Sequence, residues 1–135
     1  MYLLDTNVVS ELRRSRPNPN VTNWISGVAD ARLYVSAVTI GEIQTGIEIS
    51  RAQDADKANE LELWLSKVVS SYNILPMDAA VFRVWGQLVH RQSNTLTEDA
   101  MIAATALFHR LTVVTRNVND FTQLGVEILD PFAHR

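Results

Sequence analysis

The sequence contains no cysteine, which excludes disulfides, thiolate-bound zinc and cysteine nucleophiles at once. Long apolar runs are missing as well. None approaches the roughly eighteen residues that a membrane span requires, so no membrane association is expected. The N-terminus shows no basic region followed by an extended apolar stretch, and no secretory leader is expected. Instead Tyr2-Leu3-Leu4, directly behind Met1, reads as a core strand. Repeats, low-complexity tracts and linker-like stretches are absent, so a single domain over residues 1–135 is expected. Lysine is scarce: only Lys57 and Lys67 stand beside ten arginines. A cytoplasmic protein fits these absences.

What is present is ordinary for a soluble globular chain, with 47% apolar and 20% charged residues. The net charge of −3 argues against a high-affinity, non-specific nucleic-acid binder, because such affinity comes largely from neutralising phosphates. It leaves room for an enzyme that meets phosphates through bound metal ions and a few arginines.

Apolar periodicity and breaker residues divide the chain. Short β-rich runs predict strands over residues 2–4, 32–36, 73–75, 112–115 and 126–129. Helical spacing predicts helices over 8–14, 21–28, from 38 onward, 52–72, 78–92 and 98–110. Residues 16–20 read as a loop, since two prolines and two asparagines interrupt any helix. Residues 93–97 read as a polar link, and 116–121 as a turn with one helical turn. Strands alternating with helices imply a parallel sheet between helical layers, an α/β three-layer fold.

In such a sheet all carboxyl ends of the strands share one edge, where ligands usually bind. Asp5 follows the first strand, Glu42 lies in the first turns after the second, and Asn117 and Asp120 follow the strand over 112–115. Asp99 opens a helix that is fed by another helix, which frees its N-terminus to reach the same rim. Each acid also has a local explanation. Asp5 suits a helix cap or an Asx turn. Thr39-Ile40-Gly41-Glu42 matches a capping box, and Glu98 and Asp99 suit the positive end of a helix dipole.

Together they demand more. Carboxylates converging on one rim repel, and some stay protonated unless a cation lies among them. Neither lysine is near these positions in the sequence, so a hard divalent cation with oxygen ligands, Mg²⁺ or Mn²⁺, is the natural counterion. Such an ion activates water and stabilises charge on a phosphodiester under in-line attack.

Asp5-Thr6-Asn7 behind an N-terminal strand, Glu42 within Thr39-Ile40-Gly41-Glu42-Ile43, Asp99 ahead of Ala100-Met101-Ile102-Ala103-Ala104, and Thr115-Arg116-Asn117 resemble the PIN domain. More closely, they resemble the VapC-type toxins of type II toxin–antitoxin pairs, over nearly the whole length and in the same order. The resemblance implies a PIN-like α/β/α fold with a short central parallel sheet. It implies a Mg²⁺- or Mn²⁺-dependent endoribonuclease that hydrolyses RNA phosphodiester bonds, forms homodimers and is inhibited by a cognate antitoxin. Asp5, Glu42 and Asp99 would be the metal-binding acids, Thr6 and Asn7 would support them, and Thr115 would hydrogen-bond within the site. The family's fourth acid often occupies the position of Asn117, an amide here. Asn117 would offer a carbonyl or hold a water, with Asp120 as the alternative, and one bound metal is expected rather than two.

Three other readings compete. A haloacid-dehalogenase-type phosphatase needs an aspartate two residues after Asp5, where Asn7 stands; a response-regulator receiver needs a lysine where Arg116 follows Thr115. A catalytically weak or inactive PIN-like module that binds RNA or protein is the alternative that Asn117 keeps open. Arg116 is a candidate contact to RNA phosphate. His90, His109 and His134 lack metal-ligand spacing and read as surface or packing residues. Trp64 and Trp85 read as core or dimer contacts, and Gly46 as either tolerated or admitting a neighbouring backbone. The helix faces near residues 43–49 and 61–69 are expected docking surfaces for the antitoxin.

Overall fold

The computed structural model describes residues 1–90 and 97–133. It contains five strands, β1 (Tyr2–Leu4), β2 (Leu33–Ser36), β3 (Asn73–Leu75), β4 (Thr112–Val114) and β5 (Ile128–Leu129), in one sheet of order β3-β2-β1-β4-β5. Every neighbouring pair is parallel. The helices are α1 (Thr6–Arg13), α2 (Pro19–Ser26), α3 (Ala37–Arg51), α4 (Ala55–Ser71), α5 (Ala79–Val89), α6 (Thr97–His109) and α7 (Val118–Thr122), with a 3-10 turn at Asp30–Arg32.

Alternation along the short strands separates two cores. Leu4, Val35 and Val114 point to one side and pack with Val8, Val21, Trp24, Ile43, Ile47 and Leu65 from α1 to α4. Leu3 and Val113 point to the other side and meet Ala100, Ile102, Ala103, Ala106 and Phe121 from α6 and α7. This is the expected α/β/α layering. Fully burying a leucine or phenylalanine of this kind contributes roughly 1.5–3 kcal/mol, and the small alanine face of α6 lets that helix lie close to the sheet. No helix among the described residues is long and apolar enough to cross a membrane.

The boundaries differ from expectation where caps override composition. Residues 16–20 were expected to be a loop, but α2 starts within them. Asn18 caps it through the Asn20 amide at 2.9 Å, and Pro19 takes the first helical position, where its missing N–H costs nothing. Helix α1 begins at Thr6, immediately behind its cap Asp5. Helix α3 is capped by Ser36, whose hydroxyl accepts the Val38 amide at 3.1 Å. The capping-box explanation of Glu42 therefore fails, because Glu42 lies a turn deeper in the helix. The end of the helix expected over 78–92 and most of the polar link over 93–97 lie outside the described residues, while Thr97 already belongs to α6. His134 is also outside them.

The chain moves from β1 outward to β2 and β3, then returns to β4 on the other side of β1. The strand order thus reverses between β1 and β4, the place where an open parallel sheet forms a crevice beyond its carboxyl ends. Leu4 is in register with Val35 and Val114, and Val114 with Leu129. Asp5, Thr115 and Asp130 are therefore the first residues past the ends of β1, β4 and β5, level with Ser36, the last residue of β2. Asp99 reaches this rim for a simpler reason than the helix that feeds it. Only Arg110 and Leu111 separate α6 from β4, so α6 ends at the amino edge of the sheet and must start at the carboxyl edge.

Candidate active site

The end of β1 presents Asp5, which is 4% exposed. Its Oδ1 accepts the Thr6 amide at 2.8 Å. Its Oδ2 accepts the Thr115 hydroxyl at 2.8 Å and the Asn7 amide group at 3.1 Å. Capping and site membership coexist, because the helix needs only one of the two oxygens. Thr115, fully buried, uses its hydroxyl completely: it donates to Asp5 and accepts from the Asn117 backbone at 2.9 Å and from Asn7 at 3.3 Å. Asn7 also accepts the Arg116 amide at 3.2 Å. The loops behind β1 and β4 are thus latched across the switch point.

Glu42 comes from the second turn of α3, and its Oε1 accepts the Thr6 hydroxyl at 2.9 Å. The same Thr6 oxygen lies 3.0 Å from the hydroxyl of Thr39. One threonine of α1 therefore serves the carboxylate of α3, as the resemblance implies for a supporting residue. Asp99 lies in the first turn of α6 and Asp120 in the first turn of α7.

The electrostatics tie these acids together. Burial raises the Asp5 carboxyl above its ordinary value, although hydrogen bonds from Thr115, Thr6 and Asn7 all act to lower it. Glu42 is raised by burial and further by Asp5 and Glu98, against the opposing bond from Thr6. Asp99 is pushed up to about 6, first by burial and then by repulsion from Asp5, Asp120, Glu42 and Glu98. No lysine or arginine is among the described residues that shift these three groups. The rim is a partly desolvated set of oxygen donors whose charges oppose one another.

That donor set fits a hard divalent cation. Among the described residues, however, no three His, Cys, Asp or Glu side chains stand in the spacing of a coordination sphere. Side-chain rotation would draw these carboxylates inward around an ion.

Of the remaining candidates, Asp120 acts on Asp99, whereas Asn117 enters the network through its backbone N–H and its side chain makes no capping bond. Arg116 is not among the groups that shift Asp5, Glu42 or Asp99, although it lines a hollow shared with Asp120. Its guanidinium lies 3.8 Å above the Phe132 ring, beside a polar hollow of 410 Å³ lined by Asn117, Asn119, Asp120 and Asp130. His90 is exposed and His109 packs edge-on against Phe108, in line with packing or surface roles. Trp64 and Trp85 each pack, partly buried, against a core cluster. A Cβ on Gly46 would meet nothing, so no backbone of this chain approaches it closely. Sequence reasoning did not place Glu98 or Thr39 in the site. Glu98 was detectable as the acid adjoining Asp99, but the role of Thr39 had no sequence signal beyond its place in the Glu42 motif.

Comparison with known proteins gives concordant findings. The PIN domain family profile matches residues 2–126. Toxin FitB of Neisseria gonorrhoeae is 33% identical, covering 98% of this chain and 99% of its own length. The VapC ribonuclease Y4jK of Sinorhizobium fredii is 33% identical, covering 98% of each chain. The crystal structure of FitAcB from Neisseria gonorrhoeae superimposes with a TM-score of 0.86 at 33% identity, covering 98% of this chain and 99% of that one. A member of the VapBC family of toxin–antitoxin systems, VapBC-5 from Mycobacterium tuberculosis, superimposes with a TM-score of 0.64 at 26% identity, covering 94% and 95%.

Proposed function

The chain belongs to the PIN domain family, and from that premise we propose that it is a divalent-metal-dependent endoribonuclease, the toxin of a toxin–antitoxin pair, acting in the cytoplasm as one domain over residues 1–135. The observation that carries this reading is the coupled set of Asp5, Glu42 and Asp99 at the strand-order reversal, whose raised carboxyls owe nothing to a lysine or arginine among the described residues.

In this reading Asp5, Glu42 and Asp99 hold Mg²⁺ or Mn²⁺, and Asp120 rather than Asn117 is the fourth acid. When bound, the ion supplies Lewis-acid stabilisation of the phosphodiester and an activated water at neutral pH. Thr115 and Asn7 fix the Asp5 carboxylate, Thr6 fixes Glu42, and the Arg116 guanidinium, steadied on Phe132, offers a contact for RNA phosphate beside the acids.

Two surfaces support the proposed protein partners. A cleft of 280 Å³ is lined by Thr6 and Arg13 of α1, Glu42, Ile43 and Gly46 of α3 and Trp64 of α4. Exposed Ile49 and Leu63 belong to α3 and α4. An antitoxin segment laid there would cover Glu42. Exposed Phe82, Leu107 and Phe108 on α5 and α6 suit the homodimer contact.

The test is cleavage of RNA by the purified chain with Mg²⁺ or Mn²⁺, with EDTA, and with Asp5→Asn or Asp99→Asn. Metal-dependent cleavage that both substitutions abolish is the expected result. Cleavage that survives EDTA or both substitutions would overturn the chemistry. RNA binding without any cleavage by the native chain would favour the non-cleaving module, the reading that the amide at Asn117 supports.

A further inference from the structure

We propose that Thr39 is a positioning residue that holds Glu42 in place through Thr6. The inference rests on the reading of Glu42 as a metal-binding acid and adds a residue which that reading does not include.

Proton accounting carries the argument. Thr6 Oγ1 lies 2.9 Å from Glu42 Oε1 and 3.0 Å from Thr39 Oγ1. A hydroxyl has one proton to donate, and an ionised carboxylate can only accept. The Thr6 proton therefore goes to Glu42, and Thr39 must be the donor to Thr6. The order is Thr39 to Thr6 to Glu42. Thr39 is fully buried, and among the described residues its hydroxyl has no other hydrogen-bond partner. A threonine inside a helix commonly turns its hydroxyl back to its own backbone, as Thr105 does to the Met101 carbonyl at 2.9 Å. Thr39 instead points across to another helix.

The geometry explains what the bond accomplishes. Thr39 and Glu42 are three residues apart on α3 and so share one face, with Thr6 of α1 seated between them. The two contacts form a triangle that restrains the Thr6 side chain, and Thr6 in turn restrains a glutamate with several free rotors. That restraint matters because Asp5 and Glu98 repel the Glu42 carboxylate. Without the Thr39 donor, the Thr6 hydroxyl loses one of its two fixed directions.

The test compares Thr39→Val, which keeps the shape and removes the hydroxyl, with Thr39→Ser, which restores it. Mn²⁺ affinity is measured by titration calorimetry on the full chain, and thermal unfolding in EDTA reports the fold. Thr39→Val is expected to bind Mn²⁺ about tenfold more weakly, the low end of the range of about 10–100-fold for loss of a partner that bonds a metal ligand directly, because Thr39 acts one bond further out through Thr6. Thr39→Ser is expected to recover most of that loss. Should Thr39→Val not fold, Thr39→Ala serves in its place with the same expectation. Native Mn²⁺ affinity in the valine variant would overturn the proposal, as would a serine variant as weak as valine, since either reduces Thr39 to packing. Absence of Mn²⁺ binding by the native chain would overturn the metal reading and the relay together. Native binding that Thr39→Val leaves intact would overturn the relay alone.

Discussion

Asp99→Asn is expected to stabilise the metal-free protein while removing its activity. The Asp99 carboxyl is raised from 3.8 to about 6 by burial and by four neighbouring acids. A shift of that size corresponds to about 3 kcal/mol at 1.36 kcal/mol per unit. The side chain is only half-buried, and screening of its exposed part reduces the figure to about 1–2 kcal/mol. At about 2.1 cal/mol/K of unfolding entropy per residue, a 135-residue chain converts this into a rise in melting temperature of about 4–7 °C. An uncharged asparagine of the same shape removes both the cost of burying the charge and the repulsion, and supplies that gain.

The pH dependence fixes the sign. The folded state binds the Asp99 proton more tightly than the unfolded state does, so this group's contribution to stability falls as pH rises. The penalty is absent below 3.8, grows between 3.8 and about 6, and is complete above that. Melting in EDTA should therefore show Asp99→Asn above the native chain at pH 7.5 and the gap nearly closed at pH 4. Saturating Mn²⁺ should raise the native chain more than the variant, because a ligand stabilises the fold according to its affinity. Coincident melting at pH 7.5 in EDTA, or a gap that widens on acidification, would refute the reasoning. The Asp99 carboxylate would then carry no penalty from burial or from its acidic neighbours.

Two further substitutions probe the frame of the site. Thr115→Val removes the 2.8 Å hydrogen bond to the buried Asp5 carboxylate and should cost about 1.5–3 kcal/mol, the range for bonds to charged groups. A urea midpoint equal to that of the native chain would contradict it. Arg110 stands at φ 58 where α6 ends, with the Leu111 amide bonded back to the Ala106 carbonyl at 2.8 Å, a left-handed helix stop that suits glycine. Arg110→Gly should gain about 0.5–1 kcal/mol net of the greater freedom of glycine in the unfolded chain, seen as a higher melting temperature, whereas Arg110→Ala should bring no such gain.

Much of the frame was legible in the residues. Strands β1 to β4 lie where short β-rich runs predicted them, because a strand buried on both faces leaves a continuous apolar signature. The helix boundaries were less legible, since they depend on single side chains. Asp5-Thr6-Asn7 looks like a polar turn until Asp5 is seen capping a helix that starts at once. Pro17-Asn18-Pro19 looks like a break, although Asn18-Pro19 is a cap followed by a favoured first residue.

By itself, the sequence determined the layered α/β class, the family motifs, and which acids lie just past a strand or in the first turns of a helix. Periodicity specifies the face a residue occupies and its place along an element, and those are local properties. The tertiary structure decided which of those acids share a field. Only the order β3-β2-β1-β4-β5 brings Thr115 to Asp5 across 110 residues and Thr6 to Glu42 across 36. It also brought Asp120 near enough to raise the Asp99 carboxyl, and set the hydroxyl of Thr39 behind Thr6. Distances between elements depend on how both cores pack against the sheet, and no stretch of residues read alone contains them.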